Sequence, residues 1–234
     1  MRIHDMTWMQ VEQYLEGDDR CVLPLGSTEQ HAYLSLGTDA ILAEKVALDA
    51  AAPLGVPVYP ALPFGVTPYF MAYPGTVTFQ PETYERVLRD LVESCASLGF
   101  RRILMVNGHG GNATARPALE RCVEGLGDVQ LLWHDWWRGE RTIEAVRAID
   151  PVASHGSWME GFPWTRVPSA QPPQDHKGAV DLADRASLTA AQLRERLGDG
   201  SFGGFYERPE VELEEIWRIG VEETRALLET GWAP

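Results

Sequence analysis

Residues 102–112 read Arg-Ile-Leu-Met-Val-Asn-Gly-His-Gly-Gly-Asn. An apolar run of this length, Arg102–Val106, reads as a strand buried on both faces, and it breaks abruptly into a loop, Asn107–Asn112, built from glycine, asparagine and one histidine. Upstream, Pro81–Leu98 places Tyr84, Val87, Leu88, Leu91, Val92 and Cys95 on one helical face and stops at Gly99. Downstream, Ala113–Leu126 resumes helical spacing, and Val129–Trp133 forms another apolar strand ending at His134-Asp135. The same grammar holds nearer the start. Thr7–Leu15 reads as a short helix, Arg20–Leu25 as a strand, and a segment from Thr38 or Asp39 to about Ala52 as a helix with one of those two residues as its N-cap. Val56–Leu62 is expected to be a further strand despite Pro57 and Pro60, Thr142–Ile149 a helix, and Ala179–Leu197 and Glu210–Leu228 two more helices. Strand and helix therefore alternate, which predicts an α/β fold: a three-layer α/β/α sandwich with a mainly parallel sheet, organised as one domain over residues 1–234. In such folds ligand sites gather beyond the carboxyl ends of the strands, where the polar loops lie.

Composition narrows the function. The 234 residues are 44% hydrophobic and 23% charged, and 20 Lys+Arg stand against 34 Asp+Glu for a formal charge of −14. This balance is that of a globular domain and repels polyanions, so neither nucleic acid nor an anionic membrane is expected as a partner. The apolar runs are too short to span a bilayer, the first residues lack a signal pattern, and a cytoplasmic location is expected. Cys21, Cys95 and Cys122 are few and lack CxxC spacing, which points away from a disulfide framework or a thiolate zinc site.

Three loops hold residues suited to chemistry. Glu29 and His31 are two apart, so in an extended segment they leave the same face, and Asp39 follows at a helix start. His109 is flanked by glycines that let other backbone or an ion approach closely. Ser154–Glu160 carries His155 and Glu160 in an irregular segment. Imidazoles with carboxylates suit Zn, Mn or Fe in the divalent state, and one or two such ions would make hydroxide available at neutral pH. A rival is dinucleotide binding, because Gly108–Ala113 satisfies G-x-G-x-x-A between a strand and a helix, which would make the protein an NAD-dependent oxidoreductase; a non-catalytic metal- or ligand-binding protein is a second. No P-loop occurs, and Asp199-Gly200-Ser201-Phe202-Gly203 departs from the nucleophile elbow at its first position. Among the tryptophans, Trp158 is the candidate wall of a substrate pocket, the others being expected in packing.

Together the loops resemble the creatininase family of metal-dependent amidohydrolases. The resemblance rests on Pro24-Leu25-Gly26-Ser27-Thr28-Glu29-Gln30-His31, Leu36-Gly37-Thr38-Asp39, Asn107–Asn112, His155–Glu160 and Gly198–Gly204, in the family's order. It implies a metal site of Glu29, His31, Asp39 and His109, with Asp39 bridging and Glu160 as a fifth ligand, and His155 in proton transfer. It also implies a small-molecule amide as substrate, cyclic or linear, and a homo-oligomer, commonly a hexamer. Two departures stand out: Gly111 occupies a place where some members carry a ligand acid, and the stretch Ala32–Thr38 is one residue shorter than usual and lacks a second histidine.

Overall fold

The computed structural model describes residues 1–233. Three strands, β1 (Arg20–Leu25), β2 (Arg102–Asn107) and β3 (Gln130–Asp135), form a parallel sheet in the order β1-β2-β3. The register aligns Leu25 with Asn107 and Asn107 with Asp135, so all three strands end in one row and deliver their loops to one edge.

Alternation along the strands divides the core in two. Cys21, Leu23 and Leu25 with Ile103 and Met105 face one side, against Tyr84, Leu88 and Val92 of α3 (Pro81–Leu98) and Leu119 of α4 (Arg116–Glu124). Val22, Leu104 and Val106 face the other, against α2 (Thr38–Ala51), α5 (Glu140–Ile149) and α7 (Glu210–Thr230). Helices therefore cover both faces of a parallel sheet, as the periodicity predicts. Two shorter helices, α1 (Trp8–Leu15) and α6 (Ala190–Leu197), open with matching capping boxes, Thr7 with Gln10 and Thr189 with Gln192.

Four expectations need correction. Val56–Leu62 runs beside β1 but makes only isolated bridges, Val22 with Val58 and Leu25 with Leu62. Pro57 and Pro60 have no N–H to give, so the ladder never becomes continuous. The helix expected over Ala179–Leu197 begins only at Ala190. Before it, the Val180 N–H bonds to the Phe202 carbonyl, and the Asp181 carboxylate accepts from the Ala183 N–H, both of which compete with helix formation. The cap of α2 is Gly37, without a side-chain bond, and Asp39 lies inside the first turn with its carboxylate turned away from capping. Finally, Gly110–Ala115 is a 3-10 turn, and regular helix starts at Arg116 with Pro117 in its first turn.

Among the described residues no helix is long and apolar enough to cross a membrane.

Candidate metal centre

The loop after β1 carries Glu29 and His31, the first turn of α2 carries Asp39, the loop after β2 carries His109, and the segment after α5 carries His155 and Glu160. All six converge. Three overlapping groups have ligand atoms within 4.8 Å of one another: Glu29, Asp39 and His109; His31, Asp39 and Glu160; Glu29, His31 and His155. Asp39 belongs to the first two groups and so stands between them. Glu29, His31, Asp39 and His109 are at most 3% exposed.

Hydrogen bonds behind the rings decide which nitrogens face inward. His31 Nδ1 lies 3.1 Å from the Glu29 carbonyl oxygen, which can only accept, so Nδ1 carries the proton and Nε2 presents its lone pair to Asp39 Oδ1 at 2.9 Å. His109 Nε2 lies 3.0 Å from the Val66 carbonyl oxygen, leaving Nδ1 to face Glu29 Oε1 at 3.2 Å and Asp39 Oδ2 at 3.1 Å. Lone pairs aimed at carboxylates repel unless a cation lies between them. That cation is either a proton on each ring or a metal ion, and backbone carbonyls behind the outer nitrogens are the usual support of metal-binding imidazoles. Asp39 Oδ2 is buried and, among the described residues, has no aligned hydrogen-bond donor despite its closeness to His109. The donor set therefore fits a divalent ion.

The charges tell the same story in protons. Burial by itself would lower His31, but Asp39 outweighs it and raises the imidazole to about 10. His109 is likewise raised, Glu29 and Asp39 overcoming burial, while Glu29 and Asp39 are held below the usual carboxylate range by those rings. Glu160 behaves oppositely: burial raises it to about 7, only partly opposed by His31. Burial, then the neighbouring His31, push His155 down to about 4. The cluster is thus a dense set of acids and imidazoles neutralised only by mutual contact.

Several supporting residues escape sequence reasoning. Gln30, inside the quoted motif but assigned no role, places its side-chain amide nitrogen 2.9 Å from His155 Nε2 and donates to the Gly200 carbonyl at 3.1 Å. The Asn112 amide nitrogen donates to the Gly26 carbonyl and to Asn107 Oδ1, and its oxygen accepts from the Val66 N–H, so this asparagine ties the ends of β1 and β2 to the 63–75 loop but binds nothing in the centre. The Tyr69 hydroxyl lies 3.3 Å from His109 Nε2. Neither Tyr69 nor Val66 lies in a segment with a periodic or motif signal; only the Pro- and Gly-rich character of residues 63–75 marks that stretch as a functional loop.

Gly111 now has a physical explanation. A Cβ there would lie 1.9 Å from the Val66 carbonyl oxygen and 2.6 Å from His109 Nε2. The backbone of the 63–75 loop fills the space that a side chain at 111 would need. Gly108 is closed in the same way by the Asp39 carbonyl, 2.3 Å from its would-be Cβ. The dinucleotide alternative needs a helix N-terminus directly behind this loop, whereas Gly110–Ala115 is a 3-10 turn and regular helix starts only at Arg116, which removes its structural basis. The shortened loop after His31 turns at Ala32, which adopts φ 52° and is the one non-glycine with positive φ among the described residues. Trp158 is not on an open wall: it is fully buried in the core beside α2 and α7, because the 3-10 turn Trp158–Glu160 sends Glu160 to the centre and the indole to the opposite side.

A family model described as creatininase, creatinine amidohydrolase, matches residues 4–162, well over half of the sequence. The chain belongs to the creatininase family. Among curated relatives, 3-dehydro-scyllo-inosose hydrolase of Thermotoga maritima is 32% identical over 107 residues, covering 45% of this chain and 34% of its own. The mycofactocin precursor peptide peptidase of Mycolicibacterium smegmatis is 38% identical over 104 residues, 42% of each chain. The chain thus matches less than half the length of these relatives. A crystal structure of creatinine amidohydrolase superposes over 100% of this chain and 98% of that one with a TM-score of 0.81 at 19% identity, a likeness of fold. For a creatininase-family chain, the shared architecture puts the weight of any functional argument on the centre itself.

Proposed function

We propose that this creatininase-family protein is a metal-dependent amidohydrolase that cleaves the C–N bond of a small, non-peptide or cyclic amide. The observation that carries this is the pair of inward-facing ring nitrogens of His31 and His109, each with its other nitrogen against a backbone carbonyl, meeting Asp39 and Glu29. Glu29, Asp39 and His109 would hold one divalent ion, and His31, Asp39 and Glu160 a second, Asp39 serving both. Their oxygen and nitrogen donors, without thiolate, favour Zn, Mn or Fe. When bound, such ions supply Lewis acidity toward a carbonyl oxygen and lower the pKa of water toward neutrality.

The remaining work falls to this chain's own side chains. Hydrolysis adds water across the C–N bond, so the carbonyl carbon gains an oxygen and the departing nitrogen needs a proton. His155 is placed to move it. Its Nε2 lies 2.9 Å from both the Gln30 carbonyl oxygen and the Gln30 amide nitrogen, so it can donate to the one or accept from the other. Its Nδ1 lies 3.8 Å from Glu29 Oε1. Either neutral tautomer has a partner, and exchanging them transfers a proton without reorganising the ring. Phe70 and Phe202 pack on the same imidazole, each at a centroid separation of 4.9 Å, and leave it only partly open to water. A homo-oligomer, up to a hexamer, and a cytoplasmic location complete the proposal, the first checked by light scattering.

Metal analysis of purified protein tests the centre. Wild type is expected to carry stoichiometric divalent metal and the His31→Ala and His109→Ala variants to lose it; unchanged content in both would overturn the site. A screen of formamides and lactams tests the activity, with turnover by wild type and its loss in His155→Ala. Absence of turnover by metal-loaded wild type on every member would leave a metal-binding protein instead.

A further inference from the structure

The outer side of the centre is roofed by aromatic rings. Phe70 and Phe202 cover His155, and Tyr69 lies beside His109 with its ring centroid 6.4 Å away. Over the Tyr69 ring stands Arg185, its guanidinium carbon 5.9 Å from the centroid. Tyr69 therefore contacts both this cation and a histidine of the centre.

Arg185 differs from its neighbours. Arg194 donates to the Ala72 carbonyl at 2.6 Å, and Arg196 is paired with Asp184, the residue next to Arg185 in sequence. Arg185 is exposed and, among the described residues, has neither an ion pair nor a side-chain hydrogen bond. In a chain with fourteen more acids than bases, a guanidinium left unpaired beside the centre is not explained by a shortage of carboxylates. Its planar fork of N–H donors matches a carboxylate bidentately. With the centre engaged by the amide carbonyl, a carboxylate elsewhere on the substrate needs a partner of its own, and Arg185, joined to the centre through Tyr69 and His109, offers one.

Building on the amidohydrolase function proposed above, we propose that Arg185 receives a carboxylate borne by the substrate, so that the preferred substrates are amides carrying an acid group a few bonds from the scissile C–N bond, in the manner of an N-acylated amino acid. The guanidinium is then a specificity-determining group, and the Tyr69 ring supports it from beneath by a cation–π contact.

Formate release from N-formylglycine and from N-ethylformamide, which lacks the carboxylate, tests this with metal-loaded enzyme. Wild type is expected to prefer N-formylglycine by about tenfold or more in kcat/KM, the scale of one charge-assisted bidentate contact. Arg185→Gln should abolish the preference by raising KM for the acid with little change in kcat, and Arg185→Lys should recover part of it. A wild type with no preference, or a variant that loses both substrates equally, overturns the assignment. If neither compound is hydrolysed, calorimetric binding of the same two compounds decides: tighter binding of N-formylglycine that disappears in Arg185→Gln supports the carboxylate subsite, and equal binding overturns it. Absence of turnover alone counts only against the hydrolase function.

Discussion

Gly110 and Gly111 are adjacent, yet an alanine should have opposite consequences at the two positions. Neither has a positive φ, so backbone strain does not enter and the difference is purely one of space. At 110 no heavy atom lies within 4 Å of the added Cβ, and Gly110→Ala should change stability by no more than about 0.5 kcal/mol. At 111 the Val66 carbonyl oxygen would be 1.9 Å away where ordinary contact needs at least 3.4 Å. Val66 cannot yield freely, because its carbonyl holds His109 Nε2 and its N–H is held by Asn112. Relief costs those two bonds, about 1 kcal/mol each, plus overpacking of about 1–3 kcal/mol, for a loss of about 3–5 kcal/mol. In a chain of this size that lowers Tm by roughly 6–20 °C. Urea denaturation and thermal unfolding of both variants measure it, and metal content should fall for Gly111→Ala alone because His109 is displaced with the carbonyl. A Gly111→Ala variant within about 1 kcal/mol of wild type, or a Gly110→Ala variant equally damaged, would refute the explanation.

Three further outcomes are expected. Ala32→Gly should stabilise the protein by about 0.5–1 kcal/mol in urea melts, since glycine relieves the left-handed φ of 52° at the cost of some chain entropy. Trp158→Phe should lower stability by about 1–3 kcal/mol through lost packing while leaving KM unchanged, because the indole is fully buried and its N–H has no partner among the described residues; a changed KM with unchanged Tm would return Trp158 to the substrate wall. His134 is buried as the neutral ring, donating from Nε2 to Thr224 Oγ1, whose own proton goes to the Gly220 carbonyl. Burial lowers its pKa, so the unfolded chain binds this proton first, and the stability it contributes is present above pH of about 6.5 and lost as the pH falls below that value. His134→Gln should therefore lose less stability than wild type between pH 7 and pH 5; identical slopes would refute the assignment.

Much of the architecture is legible in the chain because its signals are local. The apolar runs ending at Leu25, Asn107 and Asp135 are short and bounded by turn residues, the first two buried and the third half-buried, and α3 announces itself by an unbroken face from Tyr84 to Cys95 with Pro81 and Gly99 at its ends. Local signals fail where tertiary contacts compete with them. Val56–Leu62 has the composition of a strand, but its prolines allow only scattered bridges to β1. Residues 179–189 have helix-forming side chains, yet Val180, Leu182 and Leu188 pack onto the Phe70 and Leu193 cluster, and the chain follows them.

The amino-acid sequence by itself determined the alternation of strands and helices, the row of polar loops at the strand ends and the kinds of donor they carry, since each depends on residues only a few positions apart. Only the tertiary structure decided that Asp39 stands between two donor groups, that Val66 replaces a side chain at position 111, and that Arg185 comes to rest over Tyr69. Those relations join segments dozens of residues apart, and they exist only once burial of the two cores has brought the strand ends and their loops to a common edge.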